Sequence, residues 1–264
     1  RALPSCTHLP LVIVTTQDER DARYAALDAG ASDSLIRPVD HVECRVRCRN
    51  LLTQYEQHRI IRDRARWLEK QVSEAVGAIR VREHETLLRL AKCGEYRDEV
   101  TGNHVIRMAK YARLIAEGMG LAKDECDVIE LAAPMHDIGK IGIPDHILLK
   151  PSRLPEHEFE IMKRHTLIGY EILKDSPSPY LQMGAVIALG HHEYFNGTGY
   201  PHGLQREEIP LPARIVAVAD VYDALTSARP YKRPWSPNDA IEFMDRMRGR
   251  HFDPRCLEVF QDQM

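Results

Sequence analysis

The sequence predicts a mainly α-helical protein: an all-α domain preceded by a long polar helix and a short α/β segment. Three observations carry this. Through residues 96–264 apolar side chains recur at helical spacing, with Pro and Gly gathered in the connections and no alternating strand pattern. Residues 42–95 contain no proline and, before Gly94 at their end, a single glycine, Gly77. Short β-branched runs bounded by turn residues occur within residues 1–50. The 264 residues are 44% apolar and 28% charged with a formal net charge of −3, which suits one large or two small globular domains and gives no sign of a nucleic-acid binder. No apolar run approaches the ~18–20 residues that span a bilayer, so no membrane span is expected. The six scattered cysteines form no CxxC pair, and Cys44 and Cys48 lack two further zinc ligands, as expected of reduced thiols in a cytoplasmic protein. The start at Arg1, without methionine or signal peptide, is expected of a fragment or processed chain.

In order along the chain, residues 1–50 read as strand, helix, strand, helix. Leu11 to Thr16 suits a buried parallel strand, Asp21 to Ala29 a short helix closed by Gly30, and Ser34 to Ile36 a second strand. Thr15 or Thr16, Gly30-Ala31-Ser32-Asp33 and Arg37-Pro38 resemble the last part of a response-regulator receiver domain, with Arg37 in place of that family's lysine. The acidic pocket and phospho-accepting aspartate of such a domain would lie before Arg1. The resemblance implies an upstream sensor histidine kinase. About 50 residues bury little core alone.

A linker helix is expected over 51–95, within the long polar stretch. Leu51, Ile61, Ala65, Leu68, Val72, Ala75 and Ile79 follow heptad spacing, interrupted by His58 and Arg82, and charged residues fill the other faces. That pattern fits a parallel coiled-coil homodimer, or else a solvated helix packed on its own domain by one stripe. Within 96–264, helices are expected at Val105–Met119, Asp124–Met135, Glu156–Leu173, Tyr180–Leu189, Arg214–Thr226 and Pro237–Met247.

The chemistry lies in histidines and aspartates spread over this third segment. His136-Asp137 ends the apolar run Val128–Met135, and Asp220 follows Ile215–Ala219. An unpaired carboxylate at the end of a buried apolar helix is costly, and a cation removes the cost. With His104, His165 and His191-His192 nearby in sequence, the two aspartates read as part of a two-metal ligand set, in which Asp137 has two oxygens with which to bridge. Imidazole and carboxylate donors suit Fe, Mn, Zn or Ni rather than a thiolate zinc site.

His136-Asp137-Ile138-Gly139-Lys140, the string from His191 to Gly203 containing Gly199-Tyr200-Pro201, Ile209 to Arg214, Asp220 to Ser227, and Arg229-Pro230-Tyr231-Lys232 together resemble the HD-GYP family of metal-dependent cyclic di-GMP phosphodiesterases. The resemblance covers residues 96–264. It implies two divalent metal ions, Fe or Mn, one held by His104, His136, Asp137 and Asp220, the other by Asp137, His165, His191 and His192. It implies Asp137 and Lys140 as catalytic groups. Lys140, Tyr200, Arg229 and Lys232 would contact substrate, with pGpG as main product over GMP. Tyr200 reads equally as a base- or phosphate-contacting ring or as a buried loop anchor, and Arg214 equally as a phosphate contact or a structural ion pair. The loop at Gly199-Tyr200-Pro201 also implies contact with diguanylate cyclase (GGDEF) domains.

The string departs from the family at three positions. Val100 stands where three-metal members carry a glutamate, and Glu99 would point about 100° away on a helix, so two metals are expected. Tyr194 replaces an arginine and Asn196 an aspartate. Three rival functions remain from the sequence: a (p)ppGpp or dNTP hydrolase of the wider HD superfamily, a metal-bound sensor or protein-interaction module, and a hydrolase of cyclic GMP-AMP.

Overall fold

The computed structural model describes residues 9–95, 104–228 and 233–264. It divides into two compact units, Arg1–Ile79 and Arg80–Met264.

In the first unit, β1 (Val12–Thr15) pairs in parallel with β2 (Asp33–Ile36), Val12 lying opposite Asp33 and Thr15 opposite Ile36, with α1 (Arg20–Asp28) between them. The elements fall where the sequence places them, but β1 is not buried: Val14 is 47% exposed. Two strands are all this sheet has among the described residues, and burial on it is confined to Thr15 and Leu35. The Asp40 carboxylate accepts from the backbone N–H groups of Val42 and Glu43, satisfying donors that the start of the next helix leaves open.

That helix, α2 (His41–Glu95), is 55 residues long and passes from one unit into the other. In the first unit its heptad residues Ile61, Leu68, Val72 and Ile79 are exposed. Within the second unit its end is part of the core: Leu87 and Ala91 are buried, Glu83 accepts from Ser178, and Gly94 packs against the Ile138 backbone.

The second unit also contains α3 (His104–Gly118), α4 (Lys123–Ala132), α5 (Asp145–Leu148), α6 (Glu156–Leu173), α7 (Pro179–Gly190), α8 (Leu211–Thr226), α9 (Pro237–Arg246) and α10 (Pro254–Gln263). α3 packs on α4, α8 and α10, and α7 packs on α4, α6 and α8. The buried apolar stripes of α3, α4, α7 and α8 meet through Met108, Ile115, Ile129, Ile187, Ile215 and Val218. Tyr111, Tyr222 and Phe260 pack edge to face and fasten α10 to this core. α10 is absent from the sequence reading, although Asp253 caps it, Pro254 opens it and Cys256, Leu257 and Phe260 supply its buried stripe. No helix among the described residues is long and apolar enough to cross a membrane.

Two predicted boundaries move by three residues, and one of them is the start of α8, at Leu211 rather than Arg214. α4 stops at Ala132 rather than running to Met135, because Pro134 has no N–H to continue the α-helical ladder. The chain tightens into a 3₁₀ turn, Ala133–Met135, presents His136 and Asp137, and enters a second turn at Ile138–Gly142. The second turn lies against α6 so closely that a Cβ at Gly139 would fall on the His165 carbonyl and the Gly169 amide. Gly139→Ala is therefore expected to destabilise the protein by about 2 kcal/mol or more, measured by urea unfolding. A variant as stable as wild type would show that this approach is not tight in solution.

Candidate metal centre

Five pieces of backbone deliver the residues singled out in the sequence. His104 opens α3, His136 and Asp137 occupy the turn after α4, and His165 lies in the middle of α6. His191 and His192 follow α7, and Asp220 stands in α8. They gather into two adjoining groups. Ligand atoms of Asp137, His165, His191 and His192 lie within 4.8 Å of one another, as do those of His104, His136 and Asp220. Asp137 leans both ways: its Oδ1 is 3.3 Å from His165 Nε2 and 3.6 Å from His191 Nε2, while its Oδ2 is 3.3 Å from His136 Nε2. Asp220 Oδ1 lies 3.4 Å from His104 Nε2 and 3.9 Å from His136 Nε2.

The inward orientation of the rings has a local cause. Each Nδ1–H is spent on backbone: His136 donates to the Ala133 carbonyl, His165 to Met162, and His191 to Ile187 and Ala188. Such a bond fixes both tautomer and ring direction, so Nε2 faces the cluster with its lone pair. Nε2 of His136, His165 and His191 and Oδ1 of Asp137 are buried without a hydrogen-bond partner. Four orphaned polar atoms converging on one place are an unfavourable arrangement for a folded chain unless a cation satisfies them. All are nitrogen or oxygen donors of the kind that hold divalent transition metals. The donor set of the cluster thus fits a divalent metal ion.

The electrostatics agree at His165, His192 and the two aspartates, while against burial Asp137 and Asp220 raise the His136 pKa. Burial lowers the His165 pKa to about 4, so its ring is neutral and able to coordinate near pH 7. Burial and the neighbouring rings also hold His192 well below its ordinary value. Burial would raise the Asp137 pKa, but Lys140 and His136 outweigh it and keep the carboxyl ionised. Asp220 is likewise held low, by His104 and His136 against burial.

A supporting residue went unassigned in the sequence. Asp223, one turn beyond Asp220 on α8 and fully buried, accepts from His104 Nδ1, from Arg107 Nε and Nη2, and from Ser227 Oγ. It does for His104 what backbone carbonyls do for the other rings. The signal was present: a second acid inside an apolar helix, and an arginine at i+3 from His104, each needing a partner.

Lys140 reaches the cluster as its i+3 spacing implied, with Nζ 2.8 Å from Asp137 Oδ2. Tyr200 lies beside the ligands, its ring 4.8 Å from that of His192 and tilted 31°. The loop carrying it is organised from within. Buried Glu193 accepts from the backbone N–H groups of His202 and Leu204, and a Cβ at Gly199 would collide with the backbone of residues 192–194. Asn196 supplies the acceptor that an aspartate would have given, bonding Thr198 N and Oγ1, and Tyr194 packs its ring 4.0 Å from His251. Both departures therefore leave the loop ordered. Arg214 is an ion-pair partner: it bonds Asp253 and the Ile209 carbonyl. Arg229 and Lys232, and likewise Glu99 and Val100, lie outside the described residues.

Asp223→Asn is expected to weaken divalent-metal affinity by roughly 10-fold or more, because a reoriented His104 is a poorer ligand. Calorimetric titration of Mn²⁺ into metal-free protein checks this, with circular dichroism to confirm folding. Unchanged affinity would mean that His104 does not contribute as a ligand.

Comparison with known proteins accords with the site. The family model described as an HD domain matches residues 57–256. The chain is 49% identical over 259 residues to the cyclic di-GMP phosphodiesterase response regulator RpfG of Xanthomonas campestris pv. campestris, covering 98% of this chain and 68% of that protein. It is 40% identical to a cyclic di-GMP phosphodiesterase of Thermotoga maritima, covering 97% of this chain and 71% of that one. Among solved structures, a cyclic GMP-AMP-specific phosphodiesterase of V. cholerae superposes with a TM-score of 0.53 at 19% identity, over 68% of this chain and 48% of that one, a likeness of fold alone. The chain belongs to the HD domain family, and the string around Gly199-Tyr200-Pro201 sets it within the HD-GYP branch.

Proposed function

We propose that this chain hydrolyses cyclic di-GMP to pGpG on a pair of divalent cations. The observation that carries the reading is the placement of Asp137, one carboxylate oxygen toward each half of a buried ligand cluster. Kinship at 49% identity with a protein named for this activity supports the substrate. His104, His136, Asp137 and Asp220 would hold one cation, and Asp137, His165, His191 and His192 the other. Two bound cations lower the pKa of water to supply a nucleophile and neutralise phosphate charge. Fe or Mn suits these donors.

The protein's own groups do the remaining work. Asp137, kept ionised by Lys140, fixes the spacing of the two halves. Lys140 offers an ammonium to the non-bridging phosphate oxygens as charge develops there. Tyr200 lies beside the ligands, where a bound nucleotide would meet its ring, and Arg229 and Lys232, by the family resemblance, would contact substrate phosphate.

The segment around β1 and β2 is the end of a receiver domain in this reading, and α2 pairs with a second copy through Ile61, Leu68, Val72 and Ile79. The parts are then residues 1–50, 51–95 and 96–264: receiver end, linker helix and catalytic domain. A sensor kinase acts upstream, and GGDEF proteins meet the loop at Tyr200.

With Fe or Mn supplied anaerobically, the wild type is expected to hold about two metals per chain and to turn over cyclic di-GMP, with Asp137→Ala inactive. Metal-loaded protein that turns over no cyclic dinucleotide would favour a sensing role, and preferential cleavage of cyclic GMP-AMP would reassign the substrate. Replacing Leu68 and Val72 together by glutamate is expected to convert a dimer to a monomer in light scattering. A mass unaffected by that change would remove α2 as the pairing surface.

A further inference from the structure

The phosphate-directed groups named above cannot tell one purine from another, because Lys140, Arg229 and Lys232 meet charge common to every cyclic dinucleotide. Discrimination needs a group that meets a base edge. Next to the ligand cluster a shelf of rings leads outward. The Tyr200 ring lies 6.3 Å from that of His165, and the Phe159 ring follows 6.0 Å from Tyr200 at 82°. Phe159 remains 37% exposed, so this ring faces water rather than the core. Lys163, one turn after Phe159 on the helix that supplies His165, holds its ammonium 5.0 Å from the Phe159 ring centre and 5.8 Å from that of Tyr200. Glu160 accepts one hydrogen bond from it.

We infer that Lys163 reads the guanine base of the substrate, with Phe159 and Tyr200 as the rings that hold it and flank the base. This rests on the cyclic dinucleotide reading given above. An ammonium has three donors, and the bond to Glu160 takes one. Two rings and a carboxylate restrain a side chain that otherwise loses much rotamer freedom on binding. Guanine presents two adjacent acceptors, O6 and N7, whereas adenine sets an N6 amino donor beside N7. A restrained ammonium therefore rewards guanine and meets a like donor on adenine. The rings beside it offer stacking, which any base accepts, so the rings contribute affinity and the lysine contributes choice.

The test is the ratio of kcat/KM for cyclic di-GMP to that for cyclic di-AMP, measured on metal-loaded wild type, Lys163→Met, Lys163→Gln and Lys163→Arg, with metal content determined for each. The wild type should prefer cyclic di-GMP. The preference should fall about tenfold in the Met and Gln variants and persist in the Arg variant, whose guanidinium also pairs with O6 and N7. Metal content should stay at the wild-type level throughout. A ratio unchanged by loss of the ammonium, or a wild type indifferent to the base, overturns the assignment while leaving the phosphodiesterase reading intact. A wild type that cleaves neither dinucleotide overturns both.

Discussion

One buried carboxylate organises the second unit. Asp137 stands among imidazoles from three directions, its oxygens 3.3 to 3.6 Å from their Nε2 atoms, with Lys140 beside it. Such a group is tolerable in a protein interior only if it stays ionised among cations or neutral donors. The fold meets that demand by bending the chain sharply at Pro134, ending α4 where the acid must emerge and starting a new turn immediately after it. Packing of α3, α4, α6, α7 and α8 then brings the remaining ligands to the same place.

The directional part of the design is mostly main chain. His136, His165 and His191 are each anchored by a backbone carbonyl three or four residues earlier, so the helical geometry that places the residue also aims its ring. At His104 a side chain, Asp223, accepts from Nδ1 and is itself held by Arg107 and Ser227.

Much of this was legible in the sequence. The apolar runs that end in Asp137 and Asp220 announce carboxylates needing cations, and the 3.6-residue period locates α3, α6, α7 and α8 to within a few residues of their ends. Periodicity alone carries α4 on to Met135, where Pro134 stops it, and it marks α10 only weakly, because the buried stripe there is Cys256, Leu257 and Phe260. The burial of β1 was misjudged because a strand's surroundings depend on neighbours that its own residues do not specify. Asp223, Glu193 and Lys163 escaped for a shared reason. Their partners lie across tertiary contacts or, for Lys163, on rings brought together by a loop fold; a local pattern marks Asp223 as needing a partner but does not name that partner.

The contact at Gly139 has a consequence for how the protein can vary. Where the turn after Asp137 meets α6, main chain touches main chain. The separation between the carboxylate and His165 is therefore a backbone dimension, like a gauge cut in metal rather than a gap filled with putty. Leu, Ile and Met in the surrounding core can be exchanged for one another with little change to that dimension, whereas a single methyl at this glycine changes it directly. The site can thus tolerate drift in the hydrophobic residues that build its scaffold while remaining intolerant at one position that contributes no side chain.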